Sequence, residues 1–179
     1  MSGPTLVIDL PEPLPSAVLR EFRALLAGLA SRLDEQRPGF FDLNVHAERL
    51  GVEDGRDDDR RRPFLVYLMG PGVGDETTFE AEHADEPEVE AALGFRPSHA
   101  VNVSAGCNRE IDHAVTALLT AAVMDVVGGV AKAELLDEQV SVVADLPGVL
   151  GIVDDGQMAL GSAEFLRAWA GHPDFRLVK

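Results

Sequence analysis

Hydrophobic positions change their spacing several times along this chain, and each change marks an element. Thr5 to Leu10 is a β-branched and aliphatic run closed by Pro11, which predicts a first strand. The stretch from Pro11 to Pro15 can neither continue a sheet nor begin a helix before its last proline, so Ser16 stands where an N-cap belongs. Val18, Leu19, Phe22, Leu25, Leu26, Leu29 and Leu33 follow at three- and four-residue spacing. Arg20, Glu21, Arg23 and Arg32 fall between them, and the spacing predicts an amphipathic helix from about 16 to 34, stopped by Pro38-Gly39. Phe41, Leu43 and Val45 then alternate with polar residues, as in a half-buried strand. Phe64 to Met69 is apolar throughout and reads as a central strand. It is joined to the previous strand by the charged turn 51–62, which suggests a hairpin with a long tip.

Gly70-Pro-Gly-Val-Gly74 breaks the pattern, and the segment from 70 to 90 reads as an acidic loop, with Val89, Ala92 and Leu93 supporting a short helix at its end. His99 to Ser104 alternates again. The strongest helix runs over 109–127, with Ile111, Val115, Leu118, Leu119, Ala122, Val123 and Val126 on its buried face and Gly128 as its C-cap. Val130–Leu135 and Val140–Ala144 fit either strand or helix. Pro147-Gly148 is a turn, and Val149–Val153 and Gln157–Leu160 read as strands. Ser162 caps a helix through Ala170 that carries Phe165, Leu166 and Trp169, Pro173 ends it, and Phe175 to Lys179 reads as a closing strand. Hairpins mixed with helical crossovers predict a single α+β domain over 1–179: a mixed or antiparallel sheet of six to eight short strands, packed by three to four helices.

Charge changes the picture more than composition does. Apolar residues make up 46% and charged residues 26%, ordinary for a globular chain, but 31 acids against 15 bases give −16. That argues strongly against a nucleic-acid backbone or an anionic membrane surface as the direct partner. One cysteine precludes an intrachain disulfide, no run approaches the roughly 20 apolar residues of a membrane span, and the N-terminus lacks the pattern of a secretion signal; a cytoplasmic location is expected.

The glycine run 70–74 follows a strand, as phosphate-cradling loops do, but no Lys-Ser or Lys-Thr follows it and the next segment is acidic; a plain turn accounts for it. Cys107 stands before the best helix, where the helix dipole lowers a thiol pKa, and His113 is close in sequence; an enzyme centred on Cys107 and His113 requires the two side chains to meet. No two of the five histidines have the spacing of a helical metal pair, and Asp57-Asp58-Asp59 is flanked by Arg56 and Arg60 to Arg62, whose charges offset it; no metal or cofactor is expected. The sharpest anomaly is the run Asp75, Glu76, Glu80, Glu82, Asp85, Glu86, Glu88 and Glu90, which holds no lysine or arginine. It reads either as a solvated loop or as an electrostatic docking surface for a basic protein.

The last third carries a resemblance. Asp112-His113 opens a long aliphatic helix that closes on Gly128-Gly129, Leu146-Pro147-Gly148 follows, and the chain ends Phe165-Leu166-x-x-Trp169-x-x-His172-Pro173-x-Phe175. Over roughly residues 110 to 179 this resembles a family of uncharacterised actinobacterial proteins, themselves similar to immunity proteins of bacterial polymorphic toxin systems. Relatives tend to carry an Asp-Phe pair soon after the Gly-Gly, where this chain has Val130-Ala-Lys-Ala-Glu. The matched positions His113, Gly128, Gly129, Pro147, Gly148, Trp169, His172, Pro173 and Phe175 look structural, so the resemblance implies a fold and no catalytic residue. With the charge, it points to a non-catalytic, immunity-type inhibitor of a basic toxin or similar partner. The alternative is a homodimeric interaction module, and an enzyme at Cys107 and His113 stands third.

Overall fold

The computed structural model describes residues 3–53, 61–84 and 86–178. The strands are β1 (Thr5–Leu10), β2 (Ala30–Arg37), β3 (Phe40–His46), β4 (Arg61–Met69), β5 (His99–Ala105), β6 (Val130–Glu134), β7 (Val149–Val153) and β8 (Met158–Gly161). They form one open sheet in the order β2-β3-β4-β5-β1-β6-β8-β7, and every neighbouring pair is antiparallel. The helices are α1 (Ser16–Leu29), α2 (Glu76–Glu82), α3 (Pro87–Leu93), α4 (Glu110–Val127), α5 (Val140–Ala144) and α6 (Ala163–Ala170). The architecture is α+β, with two more helices among the described residues than the sequence pattern suggests.

Strand alternation decides the layers. Leu6, Ile8 and Leu10 of β1, with Phe41, Leu43 and Val45 of β3, Val66 of β4 and Val101 and Val103 of β5, point to one face. There α1, α4 and α6 cover them with Phe22, Leu26, Val115, Leu119, Phe165, Leu166 and Trp169. The central helix α4 touches the sheet below and α1 and α6 on its flanks, so its burial runs almost all the way round. Its buried threonines satisfy themselves locally: the Thr116 hydroxyl donates to the Asp112 carbonyl at 2.6 Å and Thr120 to the Thr116 carbonyl at 2.7 Å.

Four expectations are corrected. The first helix does not reach residue 34; it ends at Leu29, and Ala30 turns extended to open β2, the edge strand of a hairpin closed at Pro38-Gly39. An edge strand is solvated on its outer side and β2 has two register shifts, so residues 30–37 never show two-residue alternation. The acidic segment is not all loop before the short helix expected at its end: Phe79 packs on Met69 and Ala100 and folds α2, while Val89 packs on Val130, Val153 and Leu160 in the expected helix, α3, both on the second face of the sheet. Phe175 to Val178 form no strand; the segment instead runs back to α4, where the Leu177 amide meets His113. Pro15, not Ser16, stands at the N-cap of α1, and Ser162 holds the N-cap position of α6 as expected but without a side-chain hydrogen bond. The ambiguous segments resolve as strand β6 and helix α5.

Arg62 also departs from the expectation that it screens Asp57–Asp59, which lie outside the described residues. It is turned inward, 4% exposed, against Asp112.

Candidate functional site

The second face of the sheet is only half covered. In register across it stand Tyr67 of β4, Asn102 of β5, Val7 of β1 and Lys132 of β6. The neighbouring row, Leu65, Ser104 and Thr5, is joined by side chains: the Thr5 and Ser104 hydroxyls lie 2.8 Å apart, and Ser104 donates to the Asn102 side-chain oxygen at 2.8 Å. The row on the other side contains Met69, Ala100 and Asp9, and α2 lies over it. Where α2 ends, a groove of about 420 Å³ opens, floored by Thr5, Val7, Asn102 and Lys132 and rimmed by Glu82, Glu86 and Glu134.

A buried charge network clamps the head of this groove. Asp9 is fully buried, and its Oδ1 lies 2.8 Å from His83 Nε2. His83 Nδ1 lies 2.8 Å from the Phe79 carbonyl, which can only accept, so Nδ1 carries a proton. The ring stacks on Phe79 at 4.2 Å. Asp9 Oδ2 has no hydrogen bond but sits 3.4 Å from Lys132 Nζ, which lies 3.5 Å from Glu86. Burial alone would lower the His83 pKa; the hydrogen bonds to Asp9 and to the Phe79 carbonyl, with the Asp9 charge, outweigh burial and raise it. His83, Asp9, Lys132 and Glu86 thus form a chain of alternating charge and tie α2 and the turn after it to β1 and β6. Both His83 nitrogens are engaged and Asp9 does not line the groove, so this network positions the rim and offers no free base to a ligand.

The acids singled out in the sequence do not act as one surface. Asp75 pairs with Arg37, Glu76 accepts from the Gly72 amide at 2.8 Å, Glu88 accepts from the Asp154 amide at 3.4 Å, and Glu90 lies 3.6 Å from Arg96. Glu80 is exposed, Glu82 and Glu86 reach the groove, and Asp85 lies outside the described residues. Glu134 completes the rim although the sequence reading did not single it out. Lys132 and Glu134 fall on one side of a five-residue strand, and a segment equally readable as helix hides that pairing. Asp9 and His83 were also missed, being 74 positions apart.

The other candidates fall apart or turn structural. The glycine run is a tight turn in which the Gly70 amide donates to the Gly74 carbonyl at 2.9 Å and Arg37 donates to the Val73 carbonyl at 2.8 Å. Cys107 is half-buried at the junction of β5 and α4 and makes no hydrogen bond to His113, whose Nδ1 accepts the Leu177 amide at 3.1 Å. Among the described residues no three metal-ligating side chains converge. Gly128 caps α4, Gly148 turns with positive φ, and Trp169 is wholly buried against His172 and Phe175, with ring centroids at 5.8 and 5.5 Å.

A family model matches residues 2–179, the N-terminal half included. The chain belongs to DUF6368, a family of unknown function. No curated protein and no solved structure matches it. In this DUF6368 chain no helix of the described residues is long and apolar enough to cross a membrane.

Proposed function

We propose that this DUF6368 chain is a non-catalytic acidic binding protein of the immunity type, which sequesters a basic toxin or similar protein in the cytoplasm by taking a cationic segment into the sheet groove. The observation that carries this reading is the charge of the groove. Three carboxylates, Glu82, Glu86 and Glu134, face one ammonium, Lys132, which is already held between Asp9 and Glu86. Glu82 and Glu134 have no ion-pair partner among the described residues, so an arriving Lys or Arg meets two unneutralised carboxylates above a floor of Thr5 and Asn102. A net charge of −16 adds long-range attraction and speeds encounter with a basic surface. Nuclease toxins are basic because they bind polyanions, and an acidic inhibitor can cover that surface.

The test uses tagged wild type and the Glu82→Gln/Glu134→Gln variant side by side as baits in native extract at low salt, eluted with rising salt. One basic protein held by the wild type and released at clearly lower salt from the variant supports the reading. Identical elution from both baits, or an empty eluate, overturns it.

A second reading, the homodimeric module, is favoured by the edge strand β7, whose Leu150 is 57% exposed beside an unpaired backbone edge. A concentration-dependent dimer lost in Leu150→Lys would establish it, and a monomer at all concentrations would remove it.

A further inference from the structure

The C-terminal residues that look structural in the sequence surround a second cavity, of about 480 Å³, at the start of α4. It shares no lining residue with the groove. Asn108, Glu110 and His113 line it from the α4 side and His172, Phe175 and Arg176 from the C-terminal segment.

His113 is 6% exposed, and its only hydrogen bond among the described residues is the one Nδ1 accepts from the Leu177 amide at 3.1 Å. That bond fixes the tautomer: the Nδ1 lone pair is occupied and the proton of the neutral ring sits on Nε2. Burial first, and the Arg176 charge second, lower the His113 pKa, so the ring is neutral near pH 7. Nε2 is therefore an N–H with no protein acceptor among the described residues, on a ring that lines the cavity and is open to it. His172 Nδ1 accepts the Asp174 amide at 3.1 Å and lies 3.9 Å from the Asp174 carboxylate. Arg176 makes no ion pair among the described residues, in a chain with 31 acids. A metal would need the Nε2 lone pair, which this tautomer does not offer.

We propose that this cavity binds a small ligand bearing an oxyanion, a carboxylate or a phosphate ester, which accepts from His113 Nε2 and pairs with Arg176. Phe175 supplies an apolar wall for the body of the ligand, and the volume suits a small molecule rather than a bare ion.

The experiment follows the His113 imidazole nitrogens by NMR while phenyl phosphate, benzoate or neutral benzyl alcohol is added to the full chain. A saturable His113 shift with phenyl phosphate or benzoate, and none with benzyl alcohol, is the expected result; whichever anion binds identifies the oxyanion class. Arg176→Gln, at an exposed position, weakens that binding by about tenfold, the effect of one charge-assisted hydrogen bond, while Arg20→Gln leaves it unchanged. No saturable shift with either anion, an equal response to benzyl alcohol, or unchanged affinity in Arg176→Gln overturns the proposal.

Discussion

Arg62 reaches from β4 to hold Asp112 on the first turn of α4 through two hydrogen bonds, Nε to Oδ1 at 2.7 Å and Nη2 to Oδ2 at 2.8 Å. The same carboxylate accepts the Arg109 amide at 2.8 Å, so one buried side chain both caps the central helix and joins it to the sheet. Each charge has been taken out of water, and the geometry compensates for that only while both partners are present. Asp112→Ala therefore takes the carboxylate away from the buried guanidinium and costs about 3–5 kcal/mol, read as the loss of unfolding free energy in urea. Arg62→Met/Asp112→Leu, which removes both charges, recovers most of that loss. A single variant as stable as the wild type would remove the pair from any role in the fold.

Trp169 anchors the end of the chain. It is wholly buried, edge-on to Phe175, and packs beside His172. Trp169→Ala leaves a large cavity under α6 and costs about 3–5 kcal/mol. As the sole tryptophan it reports on its own site: native emission is blue-shifted and moves red in step with the loss of helix by circular dichroism. A red native spectrum would place the indole in water.

The elements that the sequence announces are those whose burial has one clear side. The hydrophobic rows of β1, β3 and α1 each face a single layer, and their spacing shows it. Residues 30–37 carry helix-compatible composition because β2 is a solvated edge, and only the free hydrogen-bonding side of β3 makes them a strand. The acidic excess of 75–90 is plain in the sequence. Its distribution is not, because Arg37, Arg96, Lys132 and the Gly72 and Asp154 amides that take up five of those acids come from elsewhere in the chain. The groove was invisible for the same reason: its floor comes from three strands far apart in sequence.

Gly129 shows why the chain after α4 carries two glycines. Its φ is +82°, and a Cβ built there would lie 2.6 Å from the Asp9 carbonyl oxygen, which is backbone and cannot move aside. Gly129→Ala therefore meets both a left-handed conformation and a clash where β6 joins β1, and loses about 2 kcal/mol or more in chemical denaturation. Gly128→Ala has open space around its Cβ and meets only the conformational cost, so it loses less. Equal losses at the two positions would contradict the contact with Asp9.

His83 sets a pH dependence whose sign follows from its partners. In the folded chain Asp9 and the Phe79 carbonyl raise its pKa above the unfolded value of about 6.5, despite burial. The stability it contributes is then fully present below pH 6.5 and is lost as pH rises through the folded value, where the neutral ring turns a lone pair toward the Asp9 carboxylate. His113 works in the opposite direction, because its pKa is lowered and its contribution fades as pH falls. The total stability curve mixes the two, and subtraction separates them. The unfolding free energy of the wild type minus that of His83→Gln, measured from pH 5 to pH 9, is expected to be largest at the acidic end and to shrink across neutrality. A difference that stays flat, or grows with pH, would mean that the imidazolium–carboxylate pair does not hold α2 to the sheet.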